Sequence, residues 1–243
     1  MRLRLTIAYD GGPYAGWQSQ LSGNTVQDIL ESAFRKIAGT RVIVHGSGRT
    51  DAGVHALGQC AHVEVFGTMD SADWQRALNA NLPPTIRIVR SIRVPSDFHA
   101  RFSAKAKIYR YLVRNGTILP PHEFGRVWHV PQPLNIEKLR QAAALFTGRH
   151  DFAAFSASRG EPNGETVRTI RRIALSCQTG LIALTFEGDG FLYKMVRMLT
   201  AAMIRLAQQR ENLETLRARL RTGAPKWNHV APAEGLYLVR VRY

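Results

Sequence analysis

Leucine, isoleucine and tyrosine alternate with polar or small residues through Arg2-Leu3-Arg4-Leu5-Thr6-Ile7-Ala8-Tyr9, which predicts a strand with one buried face. The turn formers Asp10-Gly11-Gly12-Pro13 stop it. Val26, Ile29, Leu30, Ala33, Phe34 and Ile37 then recur at helical spacing, with Asn24 or Thr25 placed to cap the helix and Gly39 to end it. Strands are predicted over residues 41–45 and 59–66, a helix over about 71–81 stopped by Pro83-Pro84, and a strand over 86–94. The order is β-α-β-β-α-β.

The same order returns in the second half. Strands are predicted over 105–113, 167–177, 181–187 and 235–243, helices over 136–146 and 191–208, and an extra helix over 213–221 before the last strand. Two such units predict an α/β (α+β) protein of two ferredoxin-like halves, residues 1–103 and 104–243, each an antiparallel sheet with helices on one face. Their open faces would form a shared cleft. Residues 156–166, rich in turn formers, predict a surface loop able to close on a substrate.

Charge narrows the partner. The 243 residues hold 33 Lys+Arg against 18 Asp+Glu, a formal net charge of +15, while 45% hydrophobic content is ample for a core. Such a surface concentrates polyanions, of which nucleic acid is the commonest. The longest apolar stretch, 195–207, is broken by Arg197 and Arg205 and falls short of the ~20 residues of a membrane span. The first residues read as a strand and not as a signal peptide, so a cytoplasmic protein is expected. Two cysteines, Cys60 and Cys177, cannot make a disulfide framework and have no CxxC spacing.

The chemistry concentrates in Gly46-Ser47-Gly48-Arg49-Thr50-Asp51-Ala52-Gly53-Val54-His55-Ala56. Its glycines point to tight backbone and close approach. The Walker pattern fails for want of Gly-Lys-Ser/Thr, and the dinucleotide fingerprint fails where Asp51 stands in place of a small residue. A lone carboxylate does not make a two-metal site or a glycosidase pair, but it can act as a nucleophile. Spacing alone favours the commoner role of a loop aspartate, in which Asp51 caps a turn and pairs with Arg49.

Gly48-Arg49-Thr50-Asp51-Ala52-Gly53-Val54-His55-Ala56 resembles the signature of the tRNA pseudouridine synthase A (TruA) family. Tyr9-Asp10-Gly11, Lys107-Ile108-Tyr109-Arg110-Tyr111, Gly190-Phe191-Leu192-Tyr193-Lys194-Met195-Val196-Arg197 and Ala231-Pro232-Ala233-Glu234-Gly235-Leu236-Tyr237-Leu238 are similar to the same family, in order along almost the whole chain. The resemblance implies the pseudouridine synthase fold and isomerisation of uridine to pseudouridine at nucleotides 38, 39 and 40 of the tRNA anticodon stem-loop. It implies no cofactor and no metal, and a homodimer that engages tRNA.

By that resemblance Asp51 would be the nucleophile, attacking either the ribose or the base ring. Tyr109 would stack on the target base and help move the proton from the base carbon; on alternation alone, it and Tyr111 could simply cover a core. Arg197, a charge among apolar helix residues, would hold Asp51 ionised and aimed, or else snorkel to solvent. Arg49 would help extrude the target base, filling the vacated space or pairing with Asp51.

Arg87, Arg90, Arg93, Arg101, Lys105, Lys107, Arg110 and Arg114 form one basic cluster along the chain. Arg168, Arg171, Arg172, Arg205, Arg210, Arg217, Arg219 and Arg221 form another. A broad arginine surface suits RNA read by shape and backbone. Two rival readings are a metal enzyme built from His45, Asp51, His55, Cys60 and His62, whose spacing fits no familiar zinc site, and an RNA-binding module without chemistry.

Overall fold

The computed structural model describes residues 1–158 and 165–243. In chain order its elements are β1 (Arg2–Tyr9), α1 (Val26–Ala38), β2 (His45–Gly46), β3 (His55–Glu64), α2 (Ser71–Asn81), β4 (Ile86–Arg93), β5 (Ala106–Asn115), β6 (Trp128–Val130), α3 (Ile136–Phe146), β7 (Gly148–Asp151), β8 (Val167–Gln178), β9 (Leu181–Gly188), α4 (Met195–Ala207), α5 (Leu213–Thr222) and β10 (Leu236–Arg242). They fall into two compact units, one of residues 1–105 with 237–243, the other of residues 106–236. Of the predicted 156–166 loop, residues 159–164 lie outside the described residues.

In the first unit the strand order is β4-β1-β3-β10, with β2 beside β3. β1 runs antiparallel to both β3 and β4, and β10 joins β3 in parallel through Tyr237 opposite His55. Leu3, Leu5, Ile7 and Tyr9 are buried in strict alternation, as the pattern predicted. Thr25 caps α1 by accepting the Asp28 N–H, Gly39 ends it in the left-handed region, and Phe34 meets Trp74 of α2 at 5.5 Å between ring centroids. The side chain of Asn79 on α2 pairs with both backbone groups of Ile88, so it does for the β4 edge what another strand would do.

Residues 41–45 depart from the predicted strand. Val42 and Val44 are buried in alternation, but only His45 and Gly46 pair, with His62 and Ala61. The Val44 N–H instead donates to Oε1 of Glu31 on α1, at 3.0 Å. Alternation reports which side chains are buried and not where the backbone bonds go.

The second unit's strand order is β5-β9-β8-β7, antiparallel, with β6 added in parallel to β5. Tyr109, Tyr111 and Val113 turn to one buried face of β5. α4 is buried along nearly its whole length, as expected for a helix apolar on all sides. It starts at Met195 and not at 191: Tyr193 and Lys194 form a turn, and Lys194, at φ 59, holds the left-handed conformation just before the helix.

Candidate active site

The glycine-rich loop lies between β2 and β3 and is tied down from both sides. On the β3 side, the Ser47 N–H donates to the Cys60 carbonyl at 2.7 Å. Gln59, fully buried, accepts the Ser47 hydroxyl (2.7 Å) and the Cys60 N–H (3.0 Å) through Oε1, and donates through Nε2 to the Gly48 carbonyl (3.0 Å). Every polar atom of that side chain is occupied, as burial demands.

On the other side lies the segment after β1. The Trp17 N–H donates to the Thr50 carbonyl at 3.1 Å, and the hydroxyls of Tyr9 and Thr50 are 2.8 Å apart. Gly16, at φ +92, is pressed so closely that a Cβ there would lie 2.7 Å from the Thr50 oxygen and 3.1 Å from the Asp51 carbonyl carbon. A Cβ at Gly11 would lie 2.1 Å from the Val54 oxygen. Only hydrogen fits at either position. The Gly11 N–H donates to Nδ1 of His55 (3.1 Å), whose ring stacks on Tyr237 of β10 at 4.7 Å.

Asp51 therefore sits half-buried on a backbone fixed before and after it, its own carbonyl accepting the Val54 N–H at 3.1 Å across a turn that Gly53 makes at φ +77. Arg49, exposed on the same loop, donates from Nε to Oε1 of Gln18 at 3.2 Å. Burial pushes the Tyr9 phenol well above its ordinary range, so it stays protonated and able to donate.

Tyr109 and Arg197 belong to the second unit. Tyr109 is 8% exposed and meets Phe191 edge-on at 5.3 Å. Tyr111, two residues on, is the core tyrosine: it is fully buried, donates to the Pro232 carbonyl at 2.7 Å, and its ring lies where a Cβ on Gly235 would come within 2.6 Å. Arg197 is half-buried and does not simply snorkel. Its Nε donates to the Ala231 carbonyl at 2.7 Å while its own carbonyl accepts the Ala231 N–H at 3.2 Å, so the 231–235 motif is clamped to α4.

Reading the sequence missed the supports of the loop. Tyr9 and Gly11 carry the family resemblance without a task, and the sequence singles out neither Gly16 nor Gln59. One signal was available: Gln59 is the single polar residue between Ala56 and Ala61, and a buried amide needs partners. Arg114 is not a free charge of the basic cluster, since it forms a bidentate pair with Glu123 at 15% and 13% side-chain exposure. The residues weighed as a metal site are otherwise engaged. His45 stacks on His62 at 4.8 Å, His62 Nδ1 accepts the Ala100 N–H, and burial pushes the Cys60 thiol up to about 11. Among the described residues no group of three or more His, Cys, Asp or Glu is arranged to hold a metal ion, and no helix is long and apolar enough to cross a membrane.

Residues 5–103 and 142–243 match the family model described as tRNA pseudouridine synthase. Among curated relatives, the chain is similar to tRNA pseudouridine synthase A of Akkermansia muciniphila at 48% identity over 252 residues, covering 100% of this chain and 95% of the relative. Its counterpart in Methylacidiphilum infernorum is 38% identical, with 99% and 94% covered, and that of Acetivibrio thermocellus 40% identical, with 99% of both covered.

Proposed function

The chain belongs to the tRNA pseudouridine synthase family, and from that premise we propose that it acts on the uridines at nucleotides 38, 39 and 40 of the tRNA anticodon stem-loop, with Asp51 as its nucleophile. The coarser activity, isomerisation of uridine in tRNA, is that of the family. In it the bond from ribose C1′ to N1 breaks, a bond from C1′ to C5 forms, the proton on C5 leaves and N1 takes up a proton. No atom is gained or lost overall and nothing is oxidised. A carboxylate that adds to the substrate and then departs meets that requirement, whether it adds at C1′ of the ribose or at C6 of the ring.

The observation that carries the reading is the placement of Asp51 on a loop whose backbone is held by Gln59, Tyr9 and Trp17. A nucleophile gains most when its approach is fixed before the substrate arrives. Tyr109 is assigned to the target base, first by stacking and then by helping the C5 proton away. Arg49, exposed two residues before Asp51, is assigned to the vacated stack, because the base must leave the helix before its glycosidic bond can be reached. Arg197 is assigned the task of holding the Asp51 carboxylate ionised and aimed. The enzyme would act as a homodimer in the cytoplasm, where its tRNA is found.

The positional part of the reading is tested by mapping pseudouridine, nucleotide by nucleotide, in unmodified tRNAs that carry uridine at 38, 39 or 40. Conversion confined to those positions is expected. Conversion elsewhere in the tRNA overturns the assignment, and binding without any conversion favours a module that holds RNA and does no chemistry.

A further inference from the structure

We propose that Tyr9 is a positioning residue for the isomerisation, its hydroxyl acting through Thr50 to fix the backbone from which Asp51 presents its carboxylate. This rests on the reading of Asp51 as nucleophile. Tyr9 is the last residue of β1 and is 5% exposed; Thr50, 7% exposed, is the residue immediately before Asp51. Their hydroxyls lie 2.8 Å apart in a buried setting. Thr50 is thereby held twice, by its side chain on Tyr9 and by its carbonyl on the Trp17 N–H at 3.1 Å. Little freedom is left in the peptide that leads into Asp51.

Volume alone does not account for this pair. Phenylalanine and valine would fill almost the same space without the cost of burying two hydroxyls. What the hydroxyls add is direction, since a hydrogen bond fixes a distance and an angle where apolar packing tolerates sliding. Gly16 makes the same demand from the other side: its hydrogen is the only substituent that lets the 15–17 segment lie against Thr50 and Asp51. Gln59 secures the loop's entry at Ser47 and Gly48, completing a buried polar support around Tyr9.

The test compares Tyr9→Phe, Thr50→Val, the double variant and Thr50→Ser in tritium release from tRNA labelled at uridine C5, with kcat and KM for tRNA measured separately. A misplacement below about 1 Å is enough to cost about 10- to 100-fold in rate. Tyr9→Phe and Thr50→Val are each expected to lose that much in kcat with KM within about twofold of the natural value. The double variant should be no worse than either single one, because both break the same link. Thr50→Ser, which keeps the oxygen, should recover most of what Thr50→Val loses.

Full kcat in Tyr9→Phe, or losses that multiply in the double variant, would overturn the proposal. If Tyr9→Phe fails to fold, equal rates for Thr50→Val and Thr50→Ser overturn it from the other side of the bond. Failure of the Asp51 reading is seen separately, as activity that survives Asp51→Ala.

Discussion

Gly11 and Gly12 are neighbours in sequence but not in consequence. A Cβ at Gly11 would lie 2.1 Å from the backbone oxygen of Val54, whereas at Gly12 it would meet only the Asp10 side chain, at 3.3 Å. Gly11→Ala should therefore cost about 1–3 kcal/mol or more, the range for forcing atoms into packed space, while Gly12→Ala should stay within about 0.5 kcal/mol. Urea denaturation of the two variants decides it; equal stabilities would mean that the contact between β1's end and the Asp51 loop is softer than described. His62 couples stability to pH. Its Nδ1 accepts the Ala100 N–H at 3.2 Å, and burial, with His45 and His99 beside it, lowers its pKa from the ordinary 6.5 to about 4. Between those values the unfolded chain takes up a proton that the folded one refuses, so this stability is complete above pH 6.5 and is lost as pH falls toward 4. His62→Asn keeps an acceptor where Nδ1 stands but does not titrate. Its unfolding free energy should fall less between pH 7 and pH 5 than that of the natural chain, and parallel curves would place the proton uptake elsewhere.

Helix α4 shows how an element's start can be set by backbone and not by pattern. Lys194 precedes it at φ 59, a conformation that costs a side-chain-bearing residue about 1–2 kcal/mol and a glycine almost nothing. Lys194→Gly should hold or raise the melting temperature relative to Lys194→Ala, although glycine beside a helix usually lowers it; a clear loss would show that the lysine side chain matters more than its backbone. The apolar run from Phe191 gave no hint of this turn, because Phe191, Leu192 and Tyr193 continue the helical spacing. Where punctuation is explicit, sequence pattern and structure agree almost to the residue. Asp70 makes a capping box with Asp73 and Pro83 follows closely, and α2 occupies Ser71–Asn81 as predicted. β3 begins at His55 and not at 59, running through Gly58 without interruption. In the sheet it is the residue that lets Val239 of β10 approach, its Cβ position only 2.5 Å from that carbonyl. The short strands β6 and β7 escaped notice because three or four residues carry too little pattern. The site divides the same way. Asp51, Arg49, Tyr109, Arg197 and Tyr9 all lie in contiguous motifs, but what Tyr9, Gly16 and Gln59 do for the Asp51 loop depends on contacts between segments distant in sequence.

At the scale of the whole molecule, charge and chemistry meet in tRNA. A net charge of +15 carried largely on arginine should make binding to tRNA steeply dependent on salt. If about six phosphates are neutralised, affinity should fall about a thousandfold between 50 and 200 mM salt, and a binding titration across that range measures it. A nearly flat curve would mean that most of these arginines are only solvated charges, as Arg114 already shows that membership of a basic run does not guarantee a free cation. The proposed chemistry rests on one carboxylate, Asp51, on a loop held from both sides. The most direct measurement is tritium release from tRNA labelled at C5 of uridine by the natural chain and by Asp51→Ala, with tRNA affinity measured for both. Release by the natural chain, with at least a thousandfold loss in the variant at unchanged affinity, is the predicted result. Equal release by both would show that Asp51 is a structural residue of its loop and that the nucleophile lies elsewhere.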